Sequence, residues 1–193
     1  MDTTHASKIE GGFSWSIASH TSRAMAEAER RYGARVPDWF YAGYEFAATG
    51  PQTWYPGSGE TPPRKHVVVQ LSPNSQLNFH CAIFELAHEV IHLLSPAWPK
   101  SATNLEEGLA AHFADEYCII AQVNWRTQHL DYIQQRDLVV RLLLDDPTCI
   151  ARIRAVEPLL SSVSSSLLRQ QIPGLSQEDA DYLATTWTRA TPR

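Results

Sequence analysis

The pattern of hydrophobic and polar positions predicts a helix followed by a small sheet in the first third of the chain. Residues 19–32 combine small apolar side chains with a charged run at helical spacing, and Gly33 follows as a helix stop. Residues 39–46 and 66–71 are rich in aromatic and β-branched side chains, which favour strands. The glycines and prolines between these two segments indicate a long loop, so we expect a small sheet.

The rest of the pattern is mainly helical. Residues 77–94 form an apolar run that Pro96 ends, and a second helix is expected from near Asn104 to beyond Ala121. Further helices are predicted over residues 131–145, 149–171 and 177–188. We therefore predict an α+β fold that is mainly helical, in which a small sheet packs on a central helix pair and extra helices follow at the carboxy-terminal end.

The length of 193 residues fits one domain. Residues 1–18 are rich in serine, threonine and glycine without a clear period, so we predict a flexible amino-terminal arm there. Residues 19–188 are predicted to form the single domain, and residues 189–193 a short tail.

Composition and charge argue against several classes of protein. The net charge of −5 gives no basic field that could neutralise phosphates, so we expect no nucleic-acid partner. Residues 1–10 carry charges where a secretory signal needs an apolar core, and the apolar run 77–94 contains histidines and glutamates, so we expect neither export nor a membrane span. The three cysteines are widely spaced, which favours reduced thiols in a cytoplasmic protein. The oligomeric state stays open.

The clearest chemistry lies in the His-Glu-x-x-His pattern formed by His88, Glu89 and His92. Residues four apart lie one turn above each other on a helix, so both imidazoles can face one metal ion with Glu89 beside them. The surrounding residues are apolar on nearly every side, so this helix is expected to be buried, where clustered polar groups need a common partner. A bound cation would be such a partner.

A zinc site that performs hydrolysis usually has three protein ligands and a fourth position for water, so a third ligand is expected outside this helix. Glu106 and Glu107 lie in the next predicted helix, and either could complete the site. We prefer Glu107, because the helix face that it shares carries small side chains such as Ala111 and allows the two helices to lie close together. Glu106 shares its face with the larger Phe113 and Tyr117.

The sequence His88-Glu-x-x-His92 followed by Glu107-Gly-Leu-Ala resembles the gluzincin metallopeptidases, including their minimal members and the ImmA/IrrE-like peptidases of bacteria. The resemblance covers about residues 64–120. It implies a zincin-like domain that hydrolyses peptide bonds, in which His88, His92 and Glu107 bind Zn²⁺ and Glu89 is the catalytic base. The implied substrate is a peptide or a protein.

Three further roles have only candidates in the sequence. Ala111 stands where thermolysin-like enzymes carry an aspartate that orients a zinc-binding histidine, so another group must do this, the candidates being Asp115, Glu85 and Asn104. A donor to the developing oxyanion is also needed, for which the candidates are Tyr117, His112, Tyr182 and Tyr55. By analogy with the same peptidases, the edge of the strand over residues 66–71 is expected to bind the substrate as an added strand.

Two other interpretations stay open. His88 and His92 could be core histidines bonded to backbone carbonyls in a helical structural protein, with Glu107 a first-turn glutamate favoured by the helix dipole. Alternatively, the chain could be a non-proteolytic or single-substrate regulatory protein on a metallopeptidase fold, which binds a protein partner or senses metal. Metal content separates the first of these from a peptidase, and peptide cleavage separates the second.

Overall fold

The computed structural model of the protein describes residues 8–9, 12–13, 17–61, 64–127 and 130–188. The arm predicted over residues 1–18 falls mostly outside these ranges, and the tail predicted over residues 189–193 falls entirely outside them. The described residues therefore comprise most of the predicted domain and two short strands before it.

The two short strands, β1 (Lys8–Ile9) and β2 (Gly12–Phe13), pair antiparallel ahead of helix α1 (Ile17–Tyr32). The helix begins slightly earlier than predicted and ends at Gly33 as predicted. Gly33 has a φ of 90°, a left-handed conformation that glycine adopts without steric cost. The amphipathic pattern over residues 19–32 therefore identified the helix and its end.

A three-stranded sheet follows α1, with strands β3 (Phe40–Phe46), β4 (Gln52–Trp54) and β5 (His66–Leu71) in the order β3-β5-β4. β3 runs parallel to β5, and β4 runs antiparallel to it. The strands predicted over residues 39–46 and 66–71 are confirmed, whereas the sequence pattern does not predict β4. The expectation that an edge of residues 66–71 is open to a peptide is wrong, because β5 is the central strand and pairs on both sides.

The chain after the sheet forms two helices, α2 (Pro73–Leu77) and α3 (Phe79–Leu94), and nearly all of the apolar run lies in α3. Asn78 interrupts them with an extended backbone, and its side chain accepts hydrogen bonds from the N–H groups of His80 and Cys81, which caps α3. The continuous helix predicted over residues 77–94 therefore begins two residues later. α3 is buried on most sides, as its apolar composition predicts, and packs against α1 and β5.

Helix α4 (Asn104–Ile120) packs against α3 and is capped at its start by Thr103, whose side chain accepts from the N–H of Glu106. The helix matches the prediction of a start near Asn104 and ends one residue before Ala121. α3 and α4 form the central pair of the fold, and the sheet contacts α3. The protein is therefore α+β and mostly helical, with a small sheet beside a helix pair.

The carboxy-terminal part adds four helices, α5 (Leu130–Asp145), α6 (Cys149–Val156), α7 (Ser165–Gln171) and α8 (Gln177–Ala184). The prediction of a single helix over residues 149–171 is wrong, because α6 ends before Pro158 and a 3-10 turn (Leu160–Ser162) follows. A residue that precedes proline favours extended backbone, and Glu157 has φ −126° and ψ 98°.

The last predicted helix, over residues 177–188, ends at Ala184 instead of continuing to residue 188. The chain then turns extended and pairs with the segment just before α4. Thr186 forms an antiparallel bridge with Thr103, and the N–H of Asn104 donates to the carbonyl of Thr185 at 2.9 Å. This pairing holds the end of the domain against the start of α4.

None of the described helices has both the length and the apolar character needed to cross a bilayer. Cys81, Cys118 and Cys149 are buried, and the structure pairs none of them in a disulfide.

One buried cation joins the ends of two helices. The guanidinium of Arg154, a residue 5% exposed, donates to the carbonyls of Tyr32 (2.8 Å), Gly33 (2.6 Å) and Ala34 (2.9 Å) at the end of α1. It also donates to the carbonyl of Leu94 at the end of α3 at 3.2 Å. Carbonyls at a helix end have no partner within the helix, so Arg154 supplies a donor to the last carbonyls of α1, while the Leu94 carbonyl also accepts from the N–H of Val36 at 2.9 Å.

Replacing Arg154 with methionine is expected to lower the free energy of unfolding by roughly 3 kcal/mol, because a buried cation that donates to these four carbonyls is lost and the Tyr32 carbonyl loses its buried donor. The matched control is Arg30→Met, which removes an ion pair with Glu27 on the solvent face of α1 and should change stability by about 0.5 kcal/mol or less. Urea denaturation of both variants measures the difference. Equal effects of the two substitutions would show that the Arg154 contacts do not hold the helix ends.

Candidate metal centre

His88 and His92 lie on adjacent turns of α3 and face the same side of the helix. Their ring centroids are 5.3 Å apart, and both residues are buried. A spacing of four residues fixes this arrangement through helix geometry alone. The structure therefore places the two histidines side by side, which is the arrangement that the sequence predicts.

Glu107, in the first turn of α4, reaches both rings. Its Oε2 lies 3.2 Å from Nε2 of His88, and its Oε1 lies 3.6 Å from Nε2 of His92. One ligand atom from each of the three residues lies within 4.8 Å of the others. Ligand atoms of a tetrahedral zinc ion, about 2 Å from the metal, lie about 3.3 Å apart, so these separations fit one ion.

The charges around the two rings favour a cation. Glu89, Glu106 and Glu107 are all less than a tenth exposed. Burial raises the pKa of the Glu89 carboxyl. Burial alone would lower the pKa of His92, but the carboxylates of Glu107 and Glu106 raise it to about 10. The buried carboxylates thus stabilise positive charge beside them, and His88, His92 and Glu107 form a group that could hold a metal ion.

Glu106 contacts the opposite nitrogen of His92. Its Oε1 lies 2.8 Å from Nδ1 of His92, a hydrogen-bond distance, while its Oε2 is buried without a hydrogen-bond partner among the described residues. When Nδ1 donates to this carboxylate, Nε2 of His92 keeps its lone pair on the side of Glu107. Glu106 therefore occupies the position, against the ring nitrogen of His92 that faces away from Glu107, for which the sequence offered only other candidates.

The three residues considered for that orienting role are each paired elsewhere. Asp115 accepts from the N–H of Thr127 at 2.8 Å, and Asn104 donates to the carbonyl of Tyr182 at 2.8 Å. Glu85 accepts from the hydroxyl of Ser72 at 2.6 Å and from its N–H at 2.8 Å. Their contacts hold a loop, the carboxy-terminal segment and the start of α2 in place.

Glu89 points to the same side of α3 as the histidines, and its carboxylate is held by the sheet. Its Oε2 accepts a hydrogen bond of 2.7 Å from the hydroxyl of Thr53 on β4. Sequence reasoning missed Thr53 because β4 has only three residues and lies among glycines and prolines. The edge strand of the sheet is therefore directly connected to the carboxylate that follows His88.

These groups line one cavity of about 630 Å³, which is in the range of small-ligand sites. α3 and α4 supply charged residues to its lining, and β4 with the residues just after it supplies Gln52, Thr53 and Tyr55. Tyr132 from α5 and Trp187 from the segment after α8 also line it. The cavity therefore combines buried charged groups with aromatic side chains.

The four residues considered as oxyanion donors lie in different places. Tyr55 lines the cavity, whereas Tyr117 lies 3.2 Å from Nδ1 of His20 and Tyr182 donates to the side chain of Gln135 at 3.2 Å. The fourth, His112, is not among the described residues that line the cavity. Tyr132, which the sequence pattern does not single out, lines it as well.

Comparison of the chain with protein-family models, with curated proteins and with solved structures gives no match. What can be inferred about function therefore rests on the geometry of the site and on the chemistry of its residues.

Proposed function

We propose that the chain is a zinc-dependent peptidase of the gluzincin type with a zincin-like domain. The observation that carries the proposal is the convergence of His88, His92 and Glu107 from two helices, with a further carboxylate, that of Glu89, in the same cavity but outside the ligand group. Two imidazoles and one carboxylate are the ligands of several hydrolytic zinc sites. A core that needed histidines only for packing would not require three buried carboxylates around them.

His88, His92 and Glu107 would hold the ion, and Glu106 would fix the orientation of the His92 ring. Zinc at such a site supplies a Lewis acid that polarises the scissile carbonyl and makes water acidic enough to act as a nucleophile near neutral pH. Glu89 accepts the proton of the attacking water and passes it to the leaving amine. The Thr53 hydroxyl keeps the Glu89 carboxylate in one orientation while it does so.

The sheet supports a peptide as the substrate. β4 is the edge strand beside the cavity, and among the described strands it pairs only with β5. An extended peptide can add to such an edge through main-chain hydrogen bonds. Thr53 on β4 and Tyr55 just after it line the cavity, so a peptide paired with β4 would pass close to Glu89.

Replacing Thr53 with valine is expected to lower kcat by about tenfold with little change in KM, because the Glu89 carboxylate loses the donor that orients it. Valine has nearly the shape of threonine, and Thr53→Ser, which keeps the hydroxyl, should retain most of the activity. Steady-state kinetics of the two variants on one peptide measure the effect. A valine variant as active as the serine variant would show that this hydrogen bond does not assist the base.

The experiment that tests the proposed function is cleavage of an unbiased peptide library by the zinc-loaded protein. We expect cleavage at defined sites, loss of cleavage with a chelator, and recovery after zinc is added back. The absence of cleavage by protein that carries one zinc per chain would contradict the peptidase proposal.

A further inference from the structure

The carboxy-terminal segment forms part of the cavity. After α8 the chain bridges Thr186 to Thr103, and the N–H of Trp187 donates to the carbonyl of Ala102 at 2.9 Å. These backbone bonds hold residues 185–187 against the segment before α4, and the half-buried Trp187 side chain lines the cavity.

Trp187 stacks on Tyr132, which in turn contacts a histidine of the candidate metal centre. The ring centroids of Trp187 and Tyr132 are 5.2 Å apart with an interplanar angle of 13°. The Tyr132 ring meets the His88 ring edge-on, with centroids 5.4 Å apart. We call Tyr132 and Trp187 the aromatic wall.

A glycine allows the aromatic wall to lie this close to the metal centre. A Cβ at Gly108 would lie 2.5 Å from the carbonyl oxygen of Gln135 on α5. Only glycine lets α5 cross α4 at that distance, one residue after Glu107. The crossing brings Tyr132, one turn before Gln135 on α5, over His88.

We propose that the aromatic wall binds a large apolar side chain, aromatic or long aliphatic, of the peptide residue that lies beside the cleaved bond. The proposal rests on the proposed function and adds the class of substrate to it. The wall lines the same cavity as β4 and contacts His88 of the candidate metal centre, so a side chain next to a peptide bond held at that centre lies within reach of it. Flat apolar rings recognise apolar and aromatic groups by burial and stacking.

The charge of the cavity argues against an acidic side chain in this position. Glu89, Glu106 and Glu107 line the same cavity, and three ionised carboxylates carry more negative charge than one divalent ion neutralises. A substrate carboxylate would face uncompensated negative charge there. A neutral apolar group meets no such cost.

The test measures binding of two small hydroxamates, identical except for a benzyl or a methyl side chain, to the zinc-loaded protein. A hydroxamate binds zinc directly, so its binding does not depend on peptide hydrolysis. We expect the benzyl compound to bind roughly tenfold or more tightly, as expected for burial of a phenyl group. Isothermal titration of the wild type, of Trp187→Ala and of the matched control Trp187→Phe gives the three ratios.

The preference should fall to about threefold or less in Trp187→Ala and be retained in Trp187→Phe, which keeps an aromatic ring. Equal binding of both hydroxamates by the wild type would overturn the proposal without any variant. A preference that survives in Trp187→Ala and also in Tyr132→Leu would overturn it as well. If the hydroxamates are discriminated as expected but no peptide is cleaved, the peptidase function fails and the aromatic wall stands as a ligand site.

Discussion

Glu89→Gln is expected to lower kcat by roughly 100- to 10,000-fold while the protein still binds one zinc ion, because it removes the proton acceptor and leaves the ligands intact. Glutamine keeps the size of the side chain and can still accept from the Thr53 hydroxyl, so the fold around the site should not change. Single-turnover cleavage of a peptide and zinc analysis of the same preparation measure the two properties.

The control for this variant is Glu85→Gln, one turn earlier on the same helix. Glu85 also lines the cavity, but its carboxylate accepts hydrogen bonds from Ser72 and Ser75 and has no contact with the histidines among the described contacts. Its loss should reduce stability and leave the folded protein active. A Glu89 variant that keeps the wild-type rate would remove the general base from the mechanism.

Glu107→Ala is expected to weaken zinc binding by roughly a hundred- to a thousandfold. The reason is that a ligand contributes about a quarter of the ~10–16 kcal/mol found for four-ligand zinc sites, or about 2.5–4 kcal/mol. Activity should fall with the zinc content. Competition against a fluorescent chelator of known affinity measures the change, and adding excess zinc should restore binding in part.

Glu106→Ala provides the comparison that decides between the two adjacent glutamates. Glu106 contacts Nδ1 of His92 on the side away from Glu107, so its loss should weaken zinc binding by about ten- to a hundredfold, less than the loss of a ligand. The reverse order of the two effects would mean that Glu106 is the third ligand and that Glu107 plays the supporting part.

The parts of the site that the sequence predicts are those fixed by local geometry. His88 and His92 are four residues apart on a strongly apolar helix, so their convergence needs no knowledge of the tertiary fold. Predicting Glu107 requires one further inference, that the two helices pack closely, and the small side chains of α4 indicate this packing. The same reasoning did not predict the contact of Glu106. The first turn of α4 lies so close to α3 that two adjacent residues reach its histidines, Glu106 at His92 and Glu107 at His88.

The parts that the sequence does not predict depend on contacts distant along the chain. Thr53 lies on a strand that exists only because β5 pairs with it, and the pattern of its segment indicates a loop. Tyr132 reaches His88 because Gly108 admits the backbone of α5, and Trp187 reaches Tyr132 because the end of the chain pairs with the residues before α4. Side-chain periodicity carries no information about such pairings.

The most direct test is the zinc content of the protein after it is incubated with zinc and dialysed, with elemental analysis of the wild type and of a His88→Ala, His92→Ala double variant. We predict one zinc ion per wild-type chain and almost none in the double variant, with both proteins folded by circular dichroism. A wild-type protein that retains no zinc, or a double variant that retains as much as the wild type, would contradict the metal centre.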